Sequence, residues 1–314
     1  MRSFKGCKTA ALFVGSVVGA GFATGQEILL FFGDGGVLDL AVAALFMALC
    51  AWVFLNMGGK EVIKDLRLKV AADSVVALSS FAVYAAMIAA AEEVLSSLTG
   101  RAGWSAALAV FVMLFLGKRK GGIARLNLVA VPVMAGIILY VGFRFGEGRL
   151  GATFHPIKAL SYGGMNLLFS AALMVKEGGS LTPKERRSAC LWTGAFLFPM
   201  LLFMHRCVVV SPSPEMPFLA VASREGLGTL ASVSLLLAIL TTMASTAYLV
   251  TDRLTALTGD HALSVPLVTL LGILLSAVGF TPLVTYAYPV VSYLGLATAL
   301  GGMGMELFYR FKLS

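Results

Sequence analysis

The sequence predicts an all-α integral membrane protein of about ten transmembrane helices, arranged as two inverted repeats of five. Of its 314 residues, 59% are hydrophobic and only 13% are charged, whereas soluble domains are roughly 25% charged. The apolar residues occur in runs of about 17–25, the length that crosses a bilayer. Lysines and arginines concentrate in alternate connections between these runs, as expected for a polytopic membrane protein.

Polar breaks divide the chain into ten predicted spans. They cover residues 9–32, 36–57, 74–98, 102–117, 122–143, 159–175, 188–209, 227–251, 264–280 and 283–308. With the N-terminus inside, only six of the 24 Lys and Arg residues fall on the outer side, namely Arg101, Arg144, Arg149, Lys158, Arg206 and Arg224. This positive-inside bias predicts that both termini are cytoplasmic. It also assigns the net charge of +8 to membrane topology, so nucleic acid is not expected as a partner.

The ten spans predict one transmembrane domain, residues 1–314, with repeats at approximately 1–148 and 149–314. An odd number of spans in each half forces the two halves into opposite orientations. In such repeats the first helices of both halves meet at the bilayer midplane, where they are broken and form a binding site. The first and sixth spans are therefore both predicted to be broken helices.

The first span carries the sequence features of a break. Four glycines lie within eleven residues, at 15, 19, 21 and 25, and Gln26-Glu27 follows them. Each glycine weakens a helix interior by about 1 kcal/mol relative to alanine, and broken backbone at this depth must line a cavity or be enclosed by protein. A break near Gly19–Gly21 leaves amides suited to an anionic group and carbonyls suited to a small cation. Alternatively, the glycines form small-residue packing faces.

Glu27 lies about two turns beyond the predicted break. An ionised carboxylate facing lipid would cost several kcal/mol, so the side chain is expected to face the interior of the bundle. There it is a candidate proton carrier or gating charge. The alternative is a structural pairing with a neighbouring helix.

The sixth span contains Ser161-Tyr-Gly-Gly-Met-Asn166 among apolar residues. Paired glycines beside an intramembrane asparagine predict a second unwinding point. The alternative is that Gly163 and Gly164 only allow close helix packing.

The eighth span contains four hydroxyl side chains within Thr241-Thr-Met-Ala-Ser-Thr246. Hydroxyl oxygens are suitable ligands for a small hard cation, although they can also bond back to carbonyls of their own helix. The sequence has no His-Glu-x-x-His or phosphate-binding Gly-Lys-Ser/Thr motif, and its three histidines and four cysteines are scattered. An enzyme, a bound cofactor and a disulfide framework are therefore not expected.

The segment from Gly19 to Glu27, with Phe31-Phe32 after it, closely resembles the first helix of the YkvI-like bacterial membrane proteins. These belong to the amino acid–polyamine–organocation superfamily. Residues 84–87 in the third span and 162–166 in the sixth support the resemblance, which extends over the full length. It implies the LeuT-type five-plus-five fold and a location in the bacterial cell membrane.

The resemblance also implies a sodium site and a substrate site. Sodium would be bound by the carbonyls of Gly15, Val18 and Thr242 and the hydroxyls of Ser245 and Thr246. Phe22 stands where sodium-coupled amino acid transporters carry asparagine, so a second sodium is not expected. The fifth span has Arg125 only near its cytoplasmic end, which favours sodium, while Glu27 leaves proton coupling open. The substrate would meet Gly19, Gly21, Phe22, Thr24, Tyr84, Tyr162 and Asn166.

From these features we expect a cation-coupled secondary transporter, with sodium or a proton as the coupling ion. Its substrate is expected to be a small polar metabolite such as an amino acid or a related zwitterion, taken up by alternating access. The alternative is a non-transporting ligand sensor on the same fold, like the membrane subunit of spore germinant receptors. The sequence does not determine the substrate or the oligomeric state.

Overall fold

Helices make up nearly all of the protein. The structure, a computed structural model, describes residues 2–58, 66–115, 120–211, 213 and 216–313. Within these ranges there is no strand, and one isolated parallel bridge joins Gly35 to Thr153. The predicted cytoplasmic residues Lys60, Lys64, Lys118 and Arg119 lie outside the described residues. The helices are α1 (Arg2–Val17), α2 (Ala20–Thr24), α3 (Gln26–Phe32), α4 (Val37–Asn56), α5 (Leu66–Thr99), α6 (Trp104–Phe115), α7 (Lys120–Phe145), α8 (Pro156–Gly178), α9 (Pro183–Val208), α10 (Pro217–Arg224), α11 (Gly228–Thr258), α12 (His261–Ser276) and α13 (Phe280–Leu313).

Five helical segments of the described chain are long and apolar enough to cross a bilayer. They are Val37–Asn56, Val70–Thr99, Pro183–Val208, Gly228–Thr258 and Phe280–Phe308. Three shorter apolar segments accompany them, at Trp104–Met113, Ala130–Phe145 and His261–Ser276. The architecture is therefore that of an all-helical, multi-pass membrane protein.

The first predicted span is interrupted twice. α1 ends at Val17, α2 begins at Ala20 after an extended Gly19, and α3 begins at Gln26 after Gly25. Gly25 adopts φ +80°, a left-handed conformation that side chains rarely tolerate. The break predicted near Gly19 is present in the structure, whereas Gly21 lies inside α2 and the second interruption at Gly25 was not anticipated.

The prediction of a broken sixth span is wrong, because α8 runs without interruption from Pro156 to Gly178. Its glycines allow close packing instead. A Cβ on Gly163 would lie 2.6 Å from the Phe46 ring, and one on Gly164 would lie 2.5 Å from the backbone nitrogen of Leu296. Asn166 stays within the helix and donates from Nδ2 to the Tyr162 carbonyl at 3.0 Å.

Packing encloses the interrupted segment on several sides. α2 contacts α11, α3 contacts α8 and α9, and α1 packs along α9 and against α8. Around this group, α8 packs along α4 and α13, and α5 packs along α11. The breaks therefore lie inside the bundle, where backbone groups released from helix bonding can find partners.

One end of the bundle is tied together by the connections before α4 and α8. Asp39 accepts hydrogen bonds from the Gly36 amide at 3.1 Å and the His155 amide at 2.7 Å. Asp34, which is exposed, lies 3.3 Å from Lys158 Nζ and 3.0 Å from His155 Nε2. Hydrogen bonds from Lys158 and then His155 lower the pKa of Asp34. The cluster fixes the end of α3 relative to the start of α8.

Candidate functional site

A cavity of about 380 Å³ adjoins the first interruption. It extends from Glu27 and Tyr288 past Gly19 to Leu12 and Leu249. Leu12 precedes Gly19 by seven residues, or roughly 10 Å of helix. The cavity therefore runs from the broken segment along the side of α1. The other residues that line it are Gly15, Ser16, Val17, Ala20, Gly21, Val83, Met165, Asn166, Phe169, Leu173, Thr241, Thr242, Ser245, Thr246 and Tyr248.

The break redirects backbone hydrogen bonds. The Gly19 amide donates to Val17 O at 2.8 Å, so it is not available to the Gly15 carbonyl four residues earlier. The Ala20 amide donates to Thr242 Oγ1 of α11 at 3.1 Å. Gly19 allows this approach, because a Cβ there would lie 2.8 Å from the same hydroxyl oxygen. Thr242 thus supplies an acceptor for the first amide of α2.

We expect Thr242→Val to destabilise the protein by about 1–3 kcal/mol, because the Ala20 amide would lose its acceptor in a buried position. The matched control is Thr193→Val in α9, whose buried hydroxyl donates only to Ala189 O of its own helix at 2.9 Å. Thermal unfolding of the purified protein measures both changes. An equal loss of stability in the two variants would show that the bond between α2 and α11 has no special role.

The second interruption positions Glu27. Thr24 Oγ1 donates to Gly21 O at 2.8 Å and accepts from the Gln26 amide at 3.2 Å, which closes the turn around Gly25. A Cβ on Gly25 would lie 2.3 Å from Val208, so the turn is packed tightly against α9. α3 therefore starts in a fixed orientation, with Glu27 in its first turn.

Glu27 folds back over α2 and reaches the cavity. Glu27 is 7% exposed, and a Cβ on Gly21 would lie 1.7 Å from Glu27 Oε1. Tyr288, which is also buried, lines the same cavity. Because Gly21 has no side chain, it leaves room for the Glu27 carboxyl group.

The hydroxyls of α11 bond within their own helix and also face the cavity. Ser245 Oγ donates to Thr241 O at 2.8 Å, and Thr246 Oγ1 donates to Thr242 O at 2.8 Å. Both alternatives for this motif are therefore compatible with the structure. A hydroxyl that donates to a carbonyl keeps lone pairs that can coordinate a cation.

The structure brings together most of the residues predicted to form the site. Eight of them line the cavity, namely Gly15, Gly19, Gly21, Glu27, Asn166, Thr242, Ser245 and Thr246. Val18, Phe22, Thr24, Tyr84 and Tyr162 are buried and lie outside the set of lining residues.

The two predicted tyrosines pack elsewhere. The Tyr84 ring lies against α12, where a Cβ on Gly272 would be 2.4 Å from it. The Tyr162 ring packs edge-on against Phe31 and Phe32, with centroids 5.6 and 5.0 Å away. Val83, the neighbour of Tyr84, is the residue of this pair that faces the cavity.

The sequence reasoning missed the apolar wall of the cavity and Tyr288. Met165, Phe169 and Leu173 are spaced four residues apart and lie on one face of α8, beside Asn166. That spacing was a usable signal once Asn166 had been selected. Tyr288 precedes Pro289 in α13, and the proline there indicates only a kink when it is considered alone.

A metal centre of His, Cys, Asp or Glu ligands is not found in the described part of the chain. No group of three or more His, Cys, Asp or Glu side chains lies close enough to hold an ion among those residues. Polar groups at the cavity are instead hydroxyls, backbone amides and carbonyls, one amide side chain and one carboxyl group. This composition suits a small organic ligand or an alkali cation.

No protein-family model matches the chain. The uncharacterized protein YyaD of Bacillus subtilis (strain 168) is 24% identical over an alignment 320 positions long. The alignment covers 93% of this chain and 94% of YyaD. The predicted YkvI-like membership is not confirmed by these comparisons and stays a prediction.

Several solved transporters are similar in structure. The inward-facing conformation of Mhp1 superposes with a TM-score of 0.62 at 13% identity, over 94% of this chain and 75% of Mhp1. MhsT in complex with L-phenylalanine superposes with a TM-score of 0.62 at 16% identity, over 97% of this chain and 88% of MhsT. The manganese transporter of Eremococcus coleocola, bound to an aromatic bis-isothiourea compound, superposes with a TM-score of 0.60 at 17% identity, over 95% of this chain and 77% of the transporter. The chain therefore has the LeuT-type fold, and these structural relatives are transporters rather than enzymes.

Proposed function

We propose that the protein is a cation-coupled secondary transporter of a small polar metabolite, such as an amino acid or a related zwitterion. The observation that carries this proposal is the cavity beside the interrupted first span, in a fold shared with Mhp1 and MhsT. Released backbone groups, hydroxyls and a carboxyl group converge there, as at the midplane sites of transporters with broken helices. Fold alone does not define function, so the chemistry of this site is what favours transport.

The proposed topology is ten spans in two inverted repeats. Four pairs of helices at corresponding places in the two halves contact each other: α1 contacts α8, α4 contacts α9, α5 contacts α11 and α6 contacts α12. This pairing is expected if a pseudo-two-fold axis in the membrane plane relates residues 1–148 to 149–314. Both termini would then be on the cytoplasmic side, in agreement with the positive-inside bias.

In that orientation the cavity extends toward the cytoplasm, because Leu12 lies on the N-terminal side of the break. The structure would represent an inward-facing state of the alternating-access cycle. Outward opening would require the helices around α2 and α3 to move relative to α5 and α11.

The proposed coupling ion is sodium, with a proton as the alternative. Four of the five candidate ligand residues, Gly15, Thr242, Ser245 and Thr246, line one cavity, and the amide that normally bonds the Gly15 carbonyl is directed elsewhere. One sodium entering down 100 mV supplies about 2.3 kcal/mol. That free energy allows roughly fifty-fold accumulation of substrate.

We expect Ser245→Ala combined with Thr246→Ala to abolish the sodium dependence of ligand binding, because both cavity-facing hydroxyl ligands are removed. Thermal stabilisation by ligand, measured in sodium and in potassium at equal ionic strength, reads out the change. The control is Ser264→Ala combined with Thr269→Ala in α12, where the hydroxyls donate to the carbonyls of Asp260 and Val265 and lie outside the cavity. Unchanged sodium dependence in the first double variant would contradict the proposed ion site.

The ligand itself can be found by thermal stabilisation against a metabolite panel. A compound present at 100 times its Kd should stabilise the protein by about 2.7 kcal/mol. If ion and substrate sites are coupled, linkage requires sodium to strengthen that shift. A ligand whose effect is indifferent to sodium would contradict sodium coupling and favour protons or a sensor.

A further inference from the structure

Glu27 is the one residue with a formal charge among the described residues that line the cavity. Lysine, arginine and histidine are missing from that lining set. An anionic ligand would therefore meet a carboxyl group and no cationic side chain. A cationic ligand would meet a counter-ion.

The Glu27 carboxyl group is also without a partner of its own. It is 93% buried, and no hydrogen bond or ion pair to it is formed by a side chain or amide of the described residues. An unpaired buried charge is costly, so a buried carboxyl group that faces a cavity is suited to a cationic ligand.

Two of the backbone amides at the break are already bonded within the protein. The Gly19 amide bonds Val17 O, and the Ala20 amide bonds Thr242 Oγ1. α2 is only five residues long, so its dipole provides little attraction for an anion. The opposite wall of the cavity is formed by Met165, Phe169 and Leu173, which suit an apolar body.

We propose that the substrate is a small organic ammonium ion, bound through its amine by Glu27 and through its apolar body by the face of α8 at Met165, Phe169 and Leu173. This inference rests on the proposed transport function and narrows its substrate class. The ammonium group is required and a carboxylate is not, so amines bind at least as well as the amino acids of the same side chain.

Matched sets of compounds test this on the purified full-length protein. One set is 2-phenylethylamine, L-phenylalanine and 3-phenylpropionate, and the other is isoamylamine, L-leucine and 4-methylpentanoate. We expect concentration-dependent thermal stabilisation by the amine of at least one set, equal or weaker stabilisation by the amino acid, and none by the acid. Stabilisation by an acid would overturn the proposal. So would stabilisation by an amino acid when the matching amine of its set has no effect, and neither result requires a variant protein.

Glu27→Gln supplies the second test, because it removes the charge and keeps the shape. The Kd of the active amine should rise about 10–100-fold, the loss expected for one charge-assisted hydrogen bond. The control is Glu147→Gln, which removes an exposed carboxylate and should leave the Kd unchanged. Equal amine affinity in wild type and Glu27→Gln would overturn the proposal, as would stabilisation by sodium chloride alone that depends on Glu27.

Uptake into liposomes separates this inference from the proposed function. An amine that binds through Glu27 but is not transported would leave the inference standing and contradict transport. A transported compound whose binding does not depend on Glu27 would support transport and contradict the inference.

Discussion

Replacing Gly295 with alanine is expected to destabilise the protein by about 1–3 kcal/mol, in spite of the higher helix propensity of alanine. A Cβ at this position would lie 1.9 Å from the carbonyl oxygen of Gly164 and 2.4 Å from its carbonyl carbon. Both contacts are to backbone, so α8 and α13 would have to separate to make room. This crossing is one of the most extensive helix pairings of the fold, and its close approach depends on two glycines.

Gly301→Ala in α13 is the matched control for that measurement. It is six residues away in the same helix, it is exposed, and a Cβ there would meet nothing within 4 Å. Alanine should improve its helix propensity by up to about 1 kcal/mol. Thermal unfolding in the same detergent should therefore show opposite signs for the two variants, and a Gly295→Ala protein as stable as wild type would contradict the described crossing.

Gly21→Ala is expected to weaken ligand binding at least tenfold. A Cβ would lie 1.7 Å from Glu27 Oε1 and 2.4 Å from Cδ, so the carboxyl group must leave its place. Because the contacted atoms are the far end of a side chain, the helix can remain and the charge moves. The effect should appear in binding more than in stability, since misplacing a ligand-binding group by about 1 Å already loses most of its contribution.

Gly136→Ala in α7 is the control for Gly21→Ala, since a Cβ there meets nothing within 4 Å. The active ligand from the compound panel should bind this variant as it binds wild type. Titration by thermal shift gives both Kd values. If Gly21→Ala bound the ligand with wild-type affinity, the position of Glu27 would not matter for recognition.

The first break was predictable because four closely spaced glycines weaken a helix, and because Gln26 and Glu27 are costly in lipid. The sixth span shows the limit of the same reasoning. Gly163 and Gly164 weaken a helix as much as the glycines of the first span do. Here, however, they make room for the Phe46 ring and the backbone of α13. Local composition cannot distinguish a glycine that unwinds from one that allows close packing, because the difference depends on the facing helix.

The site was predictable in outline but not in its detailed contacts. The hydroxyl-rich motif of the eighth span, together with the family resemblance, singled out Thr242, Ser245 and Thr246, and all three line the cavity. The contact from the Thr242 hydroxyl to the Ala20 amide depends on how α2 and α11 meet, which no spacing in the sequence encodes. Likewise, the rotation of α5 decides that Val83 faces the cavity while Tyr84 faces Gly272.

Coupled transport is measured most directly in liposomes that contain the purified protein. A radiolabelled ligand, chosen from the compounds that stabilise the protein, is added outside with an inward sodium gradient. We expect the ligand to accumulate inside above its outside concentration. This accumulation should collapse with a sodium ionophore and be lost in the Ser245→Ala, Thr246→Ala double variant. Binding of the ligand without any uptake, under every ion gradient, would contradict coupled transport and identify the protein as a sensor.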